Sequence, residues 1–220
     1  MPLFRLDASI RQEASASRAL ADLVEEQWRS ATPDATVHRR DIGLAPLPSD
    51  AWPAAVVAGY LPEPDRSPAQ RAAVALASTL TDELVAADAL LLAVPLYNFG
   101  VSQHFKTYVD LVSTDPRMTP GTDTAIAGRR TVLVTVQGGS YGPGTPKEGW
   151  NHATAWMRRI LEDVWHVDLE VVSRELKLVG VNPALDALTD LARQLRTDAE
   201  DAARDAGRRL ADAGMATSPR

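Results

Sequence analysis

Short, continuous apolar runs alternate along the chain with longer stretches in which apolar residues recur every three or four positions, the strand and helix signatures. Leu3–Ala8 reads as a strand. Ser17 is placed to cap a helix whose apolar face is Leu20, Leu23, Val24 and Trp28. Thr36–Ile42 predicts a second strand, polar enough to lie at a sheet edge. Ser67-Pro68-Ala69-Gln70 is a helix start, with a capping hydroxyl, proline at the first position and glutamine closing a capping box. Ala73, Leu76, Ala77, Leu80, Leu84 and Val85 form the buried stripe of that helix. Ala89–Val94 is apolar throughout and bounded by Asp88 and Pro95, so it predicts a strand covered on both faces. Ser102 caps a helix with Phe105, Tyr108, Val109 and Val112 inward, and Thr131–Val136 repeats the buried-strand pattern. The pattern then predicts a helix around Lys147–Leu161 and a strand around Val167–Val172. A last helix is expected over Pro183–Ala213, with Leu185, Leu188, Leu191, Leu195 and Leu210 on one face.

Five strands joined by crossover helices make a doubly wound parallel sheet, because such crossovers are right-handed and cover both faces. One domain over residues 1–214 is expected, with a frayed tail at 215–220. The Pro-rich stretch 43–66 reads as a lid-like excursion holding one short helix. Ligands of such sheets bind beyond the carboxyl ends of the strands. That directs attention to the loops after Ala8, Val94 and Val136.

Composition narrows the chemistry. The chain has no cysteine, which excludes disulfides, thiolate metal sites and a CxxC redox pair, so redox chemistry needs a bound cofactor. His38, His104, His152 and His166 lack metal-ligand spacing. A net charge of −6, with arginines clustered only as pairs, argues against nucleic acid as a partner. No run is long and apolar enough for a membrane span, no signal peptide stands at the start, and a cytoplasmic location is expected. No G-x-S-x-G elbow is present.

The first loop, Ser9 to Ser17, runs from a strand into a helix N-terminus, where free amides and the helix dipole favour an anion. Ser9, Ser15 and Ser17 are placed to add hydroxyl donors. Without a GxGxxG or a P-loop Lys-Ser/Thr, one monophosphate suits this loop better than a dinucleotide or a triphosphate. The same serines would serve equally as caps and turns. The second loop, Pro95-Leu96-Tyr97-Asn98-Phe99-Gly100, sets flat aromatic walls beside an Asn tolerant of unusual backbone angles, as a planar heterocycle requires. An aromatic plug under the lid is the competing explanation. In the third loop, Gln137-Gly138-Gly139-Ser140, the glycines admit a ligand close to the backbone, or merely make a tight turn.

Together these residues resemble the FMN-dependent NADH-azoreductase and NAD(P)H:quinone oxidoreductase family. The resemblance runs from Leu3 to the last helix. It is most specific in Pro95-Leu96-Tyr97-Asn98-Phe99-Gly100-Val101-Ser102 followed by Phe105-Lys106-Thr107-Tyr108-Val109-Asp110. Ser9 with Ser15-Ala16-Ser17 matches the family's phosphate loop, and Gln137-Gly138-Gly139 its Gly-Gly loop. The resemblance implies a flavodoxin-like sheet of order 2-1-3-4-5. It places the FMN phosphate on Ser9, Ser15, Ala16 and Ser17. Pro95, Leu96, Tyr97, Asn98 and Phe99 would line the isoalloxazine, and Gln137, Gly138, Gly139 and Ser140 its pyrimidine end. It also implies a homodimer and ping-pong hydride transfer from NADH or NADPH to a small-molecule electron acceptor such as a quinone or azo compound, with no side-chain nucleophile or metal.

Three segments depart from the family pattern: Thr114–Pro120, Glu162–Trp165, and Val136-Gln137 where the family has Ser-Arg. Two of them border the family's substrate pocket. They keep open a pathway-dedicated flavoenzyme acting on a biosynthetic intermediate, and the acidic surface keeps open a non-enzymatic electron carrier. Tyr141, Trp52, Tyr60 and Trp165 are the candidate substrate-pocket residues.

Overall fold

The computed structural model describes residues 1–119, 121 and 123–216. In chain order, β1 (Leu3–Asp7) leads into α1 (Ala16–Ala31) and β2 (Val37–Asp41). The stretch 43–66 contains α2 (Ala51–Ala58) and a 3-10 turn at Glu63–Asp65, and α3 (Pro68–Val85) follows. Next come β3 (Ala89–Ala93), a small hairpin of β4 (Leu96–Tyr97) and β5 (Gly100–Val101), and α4 (Gln103–Val112). The last third holds β6 (Arg130–Val136), α5 (Thr154–Arg158) continued by a π-helical turn Arg159–Val164, β7 (Asp168–Arg174), a 3-10 turn Pro183–Leu188, and α6 (Thr189–Ala216).

Five strands pair in parallel in the order β2-β1-β3-β6-β7, which is 2-1-3-4-5 when the small hairpin is left out of the count. The expected doubly wound sheet is therefore present. Its register aligns Leu3 with both Val37 and Ala89, Ala89 with Arg130, and Arg130 with Asp168. The ends of β1, β3 and β6 consequently share one edge of the sheet.

Strand alternation sorts the core into two layers. Phe4, Leu6, Leu90, Leu92 and Leu133 face α2, α3, α4 and the α5 region. Leu3, Leu91, Ala93, Val132, Val134 and Val136 face α1 and α6. Arg5 and Asp7 point to the α1 side, where Arg5 is buried and bonds Asp7, Asp22 and Glu25.

Several elements begin or pack differently from the sequence reading. Ser15, not Ser17, caps α1, accepting a hydrogen bond from the Arg18 amide, so Ser17 lies inside the first turn. Ser67 and Gln70 form the expected capping box, and Ser102 caps α4. The helix expected from Lys147 starts only at Thr154, because Gly149 takes φ +77° and Asn151 Oδ1 accepts from the amides of Ala153 and Thr154, stopping any earlier turn. The last α-helix starts at Thr189, after a 3-10 turn over Pro183–Leu188; the buried face of α6 is Ala199, Ala203, Ala206, Leu210 and Ala211, while Leu191 on it and Leu188 in the turn are exposed. The reason is proximity: at Gly207 a Cβ would overlap the Val24 carbonyl oxygen, so α6 crosses close to α1 there and its buried face is mostly alanine. Of the expected tail, 215 and 216 continue α6, and 217–220 lie outside the described residues.

The excursion at 43–66 starts with Gly43 against the Ser9 backbone just past β1 and continues over α3 and α4. Its helix α2 buries Ala51, Ala55 and Ala58, the first two against the sheet-facing core. Small residues on one side of a short helix let it dock flat on its neighbours.

Candidate functional site

The loops after β1, β3 and β6 converge on a cleft of about 330 Å³. Its lining brings together Ser9, Ser15, Ala16, Ser17, Pro95, Leu96, Tyr97, Asn98, Phe99, Gln137, Gly138 and Tyr141, all singled out from the sequence.

The first wall is the β1–α1 loop. Ser9 Oγ accepts from the Arg11 amide at 3.2 Å, and Ser15 and Ser17 hold their hydroxyls 3.4 Å apart. The Ala16 and Ser17 amides in the first turn of α1 have no partner within the helix and are available to an anion. Arg18 holds this loop from behind: Nη2 donates to the Ser9 carbonyl at 2.8 Å and Nε to the Arg11 carbonyl at 2.9 Å. The same guanidinium pairs with Asp41 at the end of β2. Burial alone would raise the Asp41 pKa; hydrogen bonds from Arg18 and from the amides of Leu44 and Gly43 outweigh it and hold the carboxyl below its ordinary range. Gly43 is required here, since a Cβ would lie 2.5 Å from the Ser9 carbonyl carbon.

The second wall is the β4–β5 hairpin. Its two central residues, Asn98 (φ +49°) and Phe99 (φ +65°), are both left-handed, the mark of a type I′ turn. A phenylalanine rarely adopts that conformation, and it is retained only where its surroundings enforce it. Those surroundings are visible. The Phe99 ring meets Tyr141 and Trp150 edge-on at 5.6 and 5.0 Å, Lys147 Nζ stands 5.2 Å from its centroid, and its carbonyl accepts from the His152 amide. Tyr97 crosses to the first wall: its hydroxyl accepts from the Ile10 amide at 3.1 Å and lies 3.3 Å from Ser9 Oγ.

The third wall is the loop after β6. Gln137 is buried, and its Oε1 accepts from Asn151 Nδ2 at 3.0 Å, which ties the loop to the start of α5. Gly138 lies so near Leu178 that a Cβ would come within 2.7 Å of Cδ1.

Family-model comparison matches residues 1–199 to a model described as flavodoxin-like fold. An FMN-dependent NADH:quinone oxidoreductase from Frankia alni is 42% identical over 204 residues, covering 92% of this chain and 96% of that one. One of the same name from Streptomyces avermitilis is 33% identical over 214 residues, covering 96% and 97%. The chain belongs to the flavodoxin-like family that includes these FMN-dependent NADH:quinone oxidoreductases. Among solved structures, an azoreductase from Bacillus anthracis superposes with a TM-score of 0.77 at 20% identity, covering 95% of this chain and 99% of that one. An FMN-dependent NADH-azoreductase from the same species, solved in complex with FMN, gives 0.72 at 17%, covering 96% and 100%. At that identity the likeness is one of fold.

Five expected residues stand apart from the cleft of this flavodoxin-like chain. Gly139 and Ser140 do not line it; Gly139 packs on the Tyr141 ring, and its carbonyl accepts from the Leu176 amide. Trp52 on α2 and Tyr60 just after it are exposed, Tyr60 at 85%, and neither lines it. Trp165 is 1% exposed, packed in the core beneath the sheet, so it cannot wall a pocket.

Conversely, Arg11, Ala14, Val136, Lys177, Leu178 and Val181 line the cleft without having been singled out. Ala14 carries φ +53°, invisible in an ordinary alanine codon position. Residues 176–178 reach the cleft because their amides donate to the carbonyls of Gly139, Gln137 and Gly138, turning the chain after β7 back over the third loop. The apolar pair in Leu176-Lys177-Leu178-Val179 just past a strand was the available signal. No helix among the described residues is long and apolar enough to cross a membrane, and no group of His, Asp and Glu among them could hold a metal.

Proposed function

We propose that this protein is an FMN-dependent NADH:quinone oxidoreductase that also accepts azo and related electron-poor compounds. The observation that carries the reading is the convergence of a serine-lined helix N-terminus, a left-handed aromatic hairpin and a glycine loop on one cleft, in a chain 42% identical to a relative of that name.

The residues present fit FMN. First-turn amides and three serines suit a monoester phosphate, no carboxylate lines the cleft, and Tyr97, Phe99 and Tyr141 offer flat faces to a tricyclic ring. The chemistry supplied by the bound flavin is hydride acceptance from the nicotinamide and two-electron delivery to the acceptor. The protein's part is to position and shield. The Arg18–Asp41 pair fixes the phosphate loop, the Tyr97 hydroxyl spans the two walls, and the Phe99 turn is braced by Tyr141 and Trp150.

A homodimer that closes the cleft mouth accords with this reading. Leu178 and Val181 line the cleft yet are exposed, and Trp150, Leu188 and Leu191 add exposed apolar surface. Sedimentation equilibrium tests it, and a monomer at micromolar concentration would refute it.

The decisive experiment is a visible spectrum of the purified full chain. A yellow protein, or stoichiometric uptake of added FMN, followed by bleaching with NADH and recolouring with a benzoquinone, is expected. Absence of FMN uptake at micromolar concentration sinks the reading.

A further inference from the structure

The cleft contains formal positive charge, one cation from the serine loop and one from beyond β7. Arg11 and Lys177 line it, and no Asp or Glu does. Neither side chain forms a hydrogen bond or ion pair among the described residues, nor does Arg174 behind them, whose Nε is buried without a partner. In this acidic chain most other guanidinium groups are engaged: Arg5, Arg18, Arg39, Arg40, Arg117 and Arg209 all face carboxylates. Arg11 and Lys177 carry like charge, with no carboxylate in the cleft to offset it. The effect is visible on Lys177: burial, then the charges of Arg174, Arg11 and Arg196, push its pKa below that of an ordinary lysine. Arg196 is itself paired with Glu200.

The flavin phosphate needs such a partner. A phosphate monoester carries about −1.5 to −2 charges near neutral pH, whereas the serines and amides of the β1–α1 loop carry none. Arg18, which holds that loop from behind, is already committed to Asp41 and to two loop carbonyls.

Resting on the FMN reading above, we infer that Lys177, seconded by Arg11 of the phosphate loop, is a binding residue for the phosphate of FMN, supplied from the turn that follows β7. The role is one of affinity and discrimination. It favours FMN over the uncharged riboflavin, and it takes no part in hydride transfer.

The test is a fluorescence-quenching titration of flavin-stripped full-length protein with FMN and, separately, riboflavin, at low and high salt. Losing one charge-assisted contact weakens binding by about tenfold to a hundredfold. Lys177→Gln should lose FMN affinity by about that much, Lys177→Glu by more, and Lys177→Arg should stay near wild type. Riboflavin affinity should change by less than about twofold in all three, and the wild-type preference for FMN should shrink in salt. The inference is overturned if Lys177→Gln and Lys177→Glu keep the wild-type ratio of FMN to riboflavin affinity. That covers parallel loss of both flavins, which marks a mere wall residue, and unchanged binding of both with a raised KM for NADH, which assigns the charge to the donor's phosphates. Wild-type protein that takes up neither flavin defeats the parent reading itself. Normal uptake with an unaltered Lys177→Gln defeats only this one.

Discussion

Arg18 and Asp41 meet fork to fork, Nη1 to Oδ2 at 2.6 Å and Nη2 to Oδ1 at 2.9 Å, across the gap between the first turn of α1 and the end of β2. Asp41 Oδ1 also accepts from the amides of Gly43 and Leu44, and Arg18 from its other side binds the carbonyls of Ser9 and Arg11. One ion pair thus fastens two strand ends to the phosphate loop. Arg18→Gln and Asp41→Asn should each cost about 1–3 kcal/mol of stability, since a charge-assisted bond is lost and its partner left half-buried. Each should also weaken FMN binding by about tenfold. Urea melts and flavin titration check both, and the double variant should lose less than the sum of the two.

Acid should unfold the protein through three carboxylates. At Glu25 burial opposes ionisation, but hydrogen bonds from Arg39, Arg29 and Arg5 win and lower its pKa from the ordinary 4.5. Asp41 behaves likewise toward Arg18, and Asp115 is lowered chiefly by its bond from Arg117, both from 3.8. A folded pKa below the unfolded one gives stability that is whole above the unfolded value and is lost as pH falls toward the folded one. Stability should therefore be flat through weakly acidic pH and fall once pH drops below the ordinary 4.5 to 3.8 range. Glu25→Gln should lower stability at neutral pH and make its acid dependence shallower. Denaturant midpoints followed against pH decide the matter; an unchanged slope would refute it.

Gly43 and Gly138 should respond differently to alanine. At Gly43 the new Cβ would press on main-chain atoms of Ser9, which cannot yield without moving the phosphate loop. Gly43→Ala should cost at least about 2 kcal/mol and abolish tight FMN uptake. At Gly138 the obstacle is Leu178 Cδ1 at 2.7 Å, the tip of an exposed side chain that can rotate. Gly138→Ala should leave stability within about 1 kcal/mol. Melting temperature and flavin content of the purified variants separate the two outcomes.

The hairpin turn makes a third pair. Asn98→Gly keeps φ +49° accessible and should fold as the wild type does, whereas Asn98→Val should lose about 1–3 kcal/mol because a β-branched residue resists that conformation. If both variants melt alike, the turn is not under the constraint described.

These variants fall in regions that differ in how plainly the residues announce them. Both buried strands and the caps at Ser67 and Ser102 follow from hydrophobic period and cap chemistry, which are local, whereas the sheet order was implied by the family resemblance. Twelve of the cleft residues were legible because they sit directly after buried strands, where ligands of this architecture gather. What local reading misses is set by distance in the chain. The Leu-rich start of the last helix looks like its buried face, but close approach of Gly207 to Val24 hands that role to alanines. Trp165 looks like a pocket aromatic and is core, since only the tertiary packing shows which side of the sheet it fills. Lys177 enters the cleft through main-chain bonds to residues forty positions earlier, as its amide donates to the Gln137 carbonyl. Docking of the 43–66 excursion on α3 and α4 depends likewise on the alanines of α2 meeting surfaces made elsewhere.

The contact of α6 with α1 bears on the order in which the molecule can be made. The layer that backs the phosphate loop is closed by Ala199, Ala203, Ala206 and Leu210 lying over Leu20, Val24 and Trp28. During translation the first helix emerges long before the residues that cover it. Its apolar side has no cover from α6 until roughly the final thirty described residues have been made. A site at the head of α1 is therefore complete only once α6 has been made, and a chain cut short before α6 would lack the layer that covers Leu20, Val24 and Trp28.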